Sequence, residues 1–249
     1  MPENDKTKEA LKKENDNFLL ECERWWIFAL MICAAGFYGG YTYSCRGGIF
    51  CNAQTANFVL FGMAVGTADW GKAVYYLIPM ASYLGGTIIS EFLPKSIKRI
   101  SHIRWDTFFV AFEMLMILII GFIPESAPVQ ICQVMINFIC AMQYNTFRNA
   151  ENIPAATTFC TAHTRSLGVY LVKWFKHKTE KNYAKRSAFH AGMIVSFTLG
   201  ALFSAFLCRF FGTKAIWFAE ILLAITFIDL LHADLTKEKG LLDRVPDGH

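Results

Sequence analysis

The chain has 249 residues, 54% of them hydrophobic and only 18% charged, with 24 Lys and Arg against 20 Asp and Glu for a net charge of +4. A soluble domain carries about 25% charged residues, and here the charges are swept to the two ends and a few loops, between long runs of Leu, Ile, Phe, Ala, Gly and Met. The pattern excludes an ordinary soluble domain and calls for an all-α, polytopic transmembrane bundle, because a span needs about 20 mostly apolar residues.

In chain order, residues 1–24 read as a polar cytoplasmic tail, either a surface helix or disordered, with no cleavage site of a signal peptide after it. The transmembrane domain is expected over 25–231. Its six spans are Trp25–Tyr43, Ala73–Leu93 with Pro79 inside, Thr107–Ile123 closed by Pro124, Val129–Tyr144, Ser187–Leu207 and Ala215–Leu231. Two further segments, Ile49–Gly66 and Ala155–Phe175, start polar and end apolar. They read as polar motif-bearing helices that either re-enter or span. Residues 232–249 are expected as a cytoplasmic C-terminal tail.

Two internally repeated halves, about 25–123 and 128–231, are suggested by matches in the same order. Thr55, Ala56 and Gly62 match Thr161, Ala162 and Gly168 at an offset of 106, Ser82, Gly86, Ser90 and Phe92 match Ser196, Gly200, Ser204 and Phe206 at an offset of 114, and Glu113 matches Glu220 at 107. Internal duplication of this kind is common in transporters. With six spans, 20 of the 24 Lys and Arg fall on one side, leaving Arg46, Lys72, Arg209 and Lys214 on the other. Positive charge marks the cytoplasmic face, so six spans with inverted halves fit better than eight. Both arrangements place the protein in the cell membrane with its termini in the cytoplasm.

Glu113 and Glu220 each interrupt an apolar helix. A charge at the bilayer centre costs about 2.5–3.5 kcal/mol on insertion scales, so both should face the bundle interior. There they serve either as acids coupling protons or cations to transport or as helix-to-helix hydrogen bonds. Asn52, Gln54, Thr55 and Asn57 in one mixed segment, with Thr157, Thr158, Thr161 and His163 in the other, are candidates for contacting a solute. A helix that starts within the membrane would also turn its positive end to an anion. Gln143 closes the fourth span and Arg148 follows it, where Arg148 either takes an anionic group, pairs with Glu151 or snorkels at the interface. Each has a bland alternative, in which hydroxyls and amides bond between helices without a ligand and a lone His is structural.

The eight cysteines include no C-x-x-C pair, and Cys45 and Cys51 flank a Gly-rich turn where they could join on an oxidising side. No zinc or other metal site and no cofactor are expected. No P-loop, dinucleotide fingerprint, H-E-x-x-H or G-x-S-x-G occurs, so no catalytic residue is assigned and an enzyme is not expected. The cluster Lys173, Lys176, Lys178, Lys181, Lys185 and Arg186 lacks a nucleic-acid-binding module. The expected partners are the lipid bilayer, a small solute and a second copy as a homodimer, with no nucleic acid.

Over residues 25–231 the chain resembles the YoaK family of bacterial multipass membrane proteins, whose defining domain has no established function. The resemblance lies in Thr55-Ala56-Asn57 and Thr161-Ala162-His163, in Gln143, Phe147, Arg148, Thr157 and Thr158, and in Glu113 and Glu220. Ala56 and Ala162 stand where the family has glycine, Tyr144 where it usually has Asn, and Gly39 where it usually has Asp. The resemblance implies the architecture and no substrate. The leading expectation is a small-solute transporter or permease, proton- or cation-coupled. The alternatives are a non-catalytic membrane scaffold or sensor and a membrane-embedded enzyme.

Overall fold

A computed structural model describes residues 19–52, 54–96, 99–100, 103–178, 180–244 and 246, with backbone only at 94–96 and 99–100. The expected tail over residues 1–18 lies outside the described residues. The fold is all-helical: α1 (Trp25–Cys45), α2 (Thr55–Gly66), α3 (Trp70–Ser96), α4 (Trp105–Phe122), α5 (Val129–Thr146), α6 (Thr161–Lys176), α7 (Lys181–Phe211) and α8 (Ala219–Leu235). Two-stranded hairpins stand between α3 and α4 (β1, Arg99–Ile100; β2, Ile103–Arg104) and between α5 and α6 (β3, Asn149–Ala150; β4, Ile153–Pro154). The second hairpin turns on Glu151 and Asn152, both at positive φ, the conformation a two-residue turn between right-twisted strands needs.

Four helical stretches among the described residues are long and apolar enough to cross a membrane: Trp25–Cys45, Trp70–Leu93, Trp105–Phe122 and the continuous Lys181–Leu235. The six expected spans are met in this coarser form, which differs from the expectation in two places. The fifth and sixth expected spans run on from one another, because a 3-10 turn at Gly212–Phe218 joins α7 to α8 where a fresh helix from Ala215 was expected. α5 forms over the expected residues but is too polar to count, carrying Gln133, Asn137 and Gln143 fully buried. α3 runs unbroken through Pro79. The two mixed segments are helical only in their second parts. α2 has 12 residues, about 18 Å of helix, well short of a bilayer core of about 30 Å.

Large apolar side chains cover the outside while several polar ones are enclosed. Phe92, Phe122 and Phe210 are 69%, 70% and 66% exposed, whereas Arg46, Glu113 and Asn137 are fully buried. Such a surface suits hydrocarbon as solvent, where polar groups must be answered inside the protein. The main packing pairs are α1 with α7, α3 with α5, α2 with α3, α6 with α7, and α4 with α8. Glycine sets the two closest crossings. A Cβ on Gly200 of α7 would lie 1.9 Å from the Cys33 carbonyl oxygen of α1, and one on Gly86 of α3 would lie 2.5 Å from the Phe138 carbonyl oxygen of α5. The first and last described segments meet. The buried Leu20–Glu23 segment bonds to the stretch after α8, with the Glu21 amide donating to Glu238 and the Arg104 side chain reaching Asp106, Glu238 and the Leu241 carbonyl.

Candidate solute site

The irregular backbone ahead of α2 and α6 lies inside the bundle, and each of its polar groups needs a partner there. Side-chain amides tie these segments to the neighbouring helices. Asn52 donates to the Ala35 carbonyl at 3.2 Å, Gln133 to the Arg46 carbonyl at 2.8 Å, and Gln143 to the carbonyls of Met31 and Thr157 at 3.1 and 3.0 Å. Gln54 donates to the Asn137 side-chain oxygen, and Asn57 donates to Gln54 at 3.0 Å. The polar stripe that disqualifies α5 as a simple span is thus the scaffold on which both broken segments rest.

Between these segments opens a cavity of about 630 Å³, lined by Asn52, Gln54, Thr55 and Phe58 on one side, Phe159, Thr161, Ala162, Arg165 and Ser166 on the other, and Tyr83 and Tyr144 across it. A second cavity of about 600 Å³ shares Tyr144, Ala162 and Ser166 with the first and continues to Asn145, Arg148 and Asn149. Both lining sets contain arginine and neither contains Asp or Glu. The N-termini of α2 and α6 abut the first cavity, and neither is capped by a side chain. Each helix start carries about half a positive charge, so two starts and Arg165 bias the cavity toward negatively charged groups.

The structure brings together some expected site residues and not others. Asn52, Gln54, Thr55 and Thr161 line the first cavity, and Arg148 lines the second. Asn57, Gln143, Thr157 and Thr158 are buried in the wall behind, and Thr157 and Gln143 bond to each other. His163 turns away from the cavity: its Nδ1 meets His190 Nδ1 at 3.0 Å and its Nε2 meets the Ala156 carbonyl at 2.7 Å. Arg148 pairs with Glu91 at 2.5 Å, where Glu151 was the expected partner. Glu151 pairs with Lys185 at 2.7 Å instead. Gly39, the position where the resemblance leads one to expect Asp, packs on Asn52: a Cβ there would lie 3.1 Å from its Nδ2.

Glu113 and Glu220 stand apart from both cavities. Glu113 is fully buried and accepts the Tyr38 hydroxyl at 2.9 Å. Cys45 and Cys51 are not joined. All eight cysteines are free, Cys51 is buried, and Cys45 meets Cys208 instead.

Sequence reasoning missed Tyr83, Phe159 and Ser166 as lining residues and Asn137 as the support of Gln54. The i, i+4 pair Gln133 and Asn137 in an apolar helix was the available signal for the last.

Apolar helices around a buried polar interior define a helical protein compatible with a membrane. A family model described as a protein of unknown function, DUF1275, matches residues 27–228, and the chain belongs to that family. No curated protein and no solved structure matches the chain.

Proposed function

We propose that the protein is a multispan membrane permease for a small solute bearing negative charge. The observation that carries this reading is the cavity where the uncapped starts of α2 and α6 meet, with Arg165 in its wall and no acidic residue lining it. Anions bind at helix starts because the backbone N–H groups and the dipole both point at them. The packing pattern supports two related halves. Exchanging α1–α4 with α5–α8 turns the α1–α7 contact into α5–α3, α2–α3 into α6–α7, and α4–α8 into itself. Gly86 and Gly200, matched in sequence, serve the same close approach in the two halves. In this reading α1, α3, α4, α5, α7 and α8 cross the membrane of the cell and both termini are cytoplasmic. α2 and α6 start within the membrane and bring their positive ends to one site.

The test is a thermal-shift measurement on purified protein with inorganic phosphate, sulfate and succinate, beside glucose and choline, for the parent and Arg165→Gln. A ligand that binds only the native state stabilises it by about 2.7 kcal/mol at one hundred times its Kd. A shift with at least one anion that weakens in Arg165→Gln is expected. A shift only with glucose or choline refutes the charge assignment, and no shift with any probe favours a closed scaffold.

A further inference from the structure

Away from the cavities, two unanswered buried oxygens face the core between α4 and α8. Glu113 Oε2 has no hydrogen-bond partner, although the residue is fully buried, and Glu220 Oε1, at the start of α8, is buried without a partner too. Glu113 on α4 and Glu220 on α8 stand on helices that pack against each other, and Tyr38 of α1 reaches in to Glu113. The other titratable group facing them is Cys140 from α5, and the 3-10 turn beside α8 contributes Lys214, which is exposed. Among the described residues, no ion pair or hydrogen bond from a cation reaches either carboxyl group. Among the described residues no group of three His, Cys, Asp or Glu could hold a metal ion, and two carboxyl oxygens and a phenol are too few for an oxygen cage, which takes about six ligands.

We propose that Glu113 and Glu220, positioned by Tyr38, are the protein's proton-binding site, separate from the anion cavity and joined to it through α1. The Tyr38 hydroxyl donates to Glu113 Oε1, so that oxygen offers a lone pair and the proton sits on Glu113 Oε2 or on Glu220. Both unanswered oxygens lack a donor, and a bound proton supplies one. A proton passes from water to a carboxylate oxygen and returns, and no other bond changes. α1 carries the consequence. Tyr38 faces the pair, while the Ala35 carbonyl, one turn before it, holds Asn52, and Gly39, next to it, packs on the same amide. Releasing the proton changes what holds Tyr38 and so the seat of Asn52 in the cavity wall. The purpose given to the site, uptake of a proton with each anion, rests on the permease reading; its existence as a proton site does not.

The experiment is infrared difference spectroscopy of the full-length protein in detergent across a pH series, for the parent, Glu113→Gln, Glu220→Gln, Tyr38→Phe and, as a control, Glu238→Gln. A carboxyl C=O band of a dehydrated acid is expected to fade as pH rises, to be lost or to move in frequency in Glu113→Gln, to titrate at a changed pH in Glu220→Gln, to move in frequency in Tyr38→Phe, and to persist unchanged in Glu238→Gln. If Glu113→Gln does not fold, the Glu220 and Tyr38 variants carry the test. No such band in the parent, or a band untouched by all three core substitutions, overturns the proposal. Loss of the band on adding sodium at fixed pH overturns it in favour of a metal-cation site. The band without a thermal shift from any probe keeps the proton site and sinks the permease. An anion shift without the band does the reverse.

Discussion

Gly200→Ala tests the crossing of α1 and α7 most directly. The added Cβ would lie 1.9 Å from the Cys33 carbonyl oxygen and 2.8 Å from its carbon, where ordinary contact begins near 3.4 Å. The helices would have to part by about 1.5 Å at that point. Backbone cannot swing away as a side chain can, and overpacking of this kind costs about 1–3 kcal/mol. Gly192 lies on the same helix, and a methyl group added there would meet nothing within 4 Å. At that position the same change should stabilise, because Ala in a helix gains about 0.5–1 kcal/mol over Gly. At about 2–4 °C per kcal/mol for a chain of this size, Gly200→Ala should melt several degrees lower and Gly192→Ala slightly higher, read by thermal melting in detergent. Gly86→Ala should behave like Gly200→Ala, since its Cβ would meet the Phe138 carbonyl oxygen at 2.5 Å. Equal melting of the Gly192 and Gly200 variants would refute the close crossing. A destabilised Gly200 variant beside an unaffected Gly86 variant would refute the equivalence of the two halves.

Three further outcomes follow from the buried charges and sulfurs. Arg104→Met should destabilise by about 3–5 kcal/mol, because it strands buried Asp106 and Glu238 without their cation, and denaturant or thermal unfolding measures it. Burial holds the Glu238 carboxyl above its ordinary value of 4.5, outweighing the Glu21 amide and Arg104, which pull the other way. The folded state therefore binds this proton more tightly than the unfolded one. Its contribution is complete below about pH 4.5 and is lost as pH rises through the folded value. Melting temperature against pH should fall less steeply above pH 4.5 in Glu238→Gln, and an identical slope would contradict the burial argument. Mild oxidation should link Cys45 to Cys208, which meet at the same end of α1 and α7. The gel shift should disappear in Cys208→Ser and persist in Cys51→Ser.

Much of the site was legible because its parts carry local signals. A polar start followed by an apolar run marks where α2 and α6 begin, at Thr55 and Thr161. A lone acid in an apolar run marks Glu113 as buried. What could not be read was which distant face answers which group. Arg148 finds Glu91 rather than its sequence neighbour Glu151, because α3 packs against α5 while the hairpin turns Glu151 toward Lys185 on α7. His163 looked like a cavity residue through its neighbours Thr161 and Ala162. Yet one residue along a helix turns the side chain by about 100°, enough to aim it at His190 instead. The join of α7 to α8 was hidden because Gly212 reads as a terminator. It does end α7, at φ +54°, but the chain resumes at once in 3-10 form.

The polarity of α5 connects the fold to the proposed activity. A helix bearing Gln133, Asn137 and Gln143 would insert poorly on its own, since each amide needs a partner in the bilayer. Its partners are the Arg46 and Thr157 carbonyls and Gln54, all in or beside the two broken segments. The broken segments need those amides for the same reason. Each element answers polar groups of the other, so the cavity between them is held by mutual hydrogen bonding as well as by the apolar packing of α5. A site held in that way can be reset by a change in a few hydrogen bonds. Tyr38 contacts Glu113 on a helix whose Ala35 carbonyl binds Asn52, which places such a change one helical turn from the cavity wall.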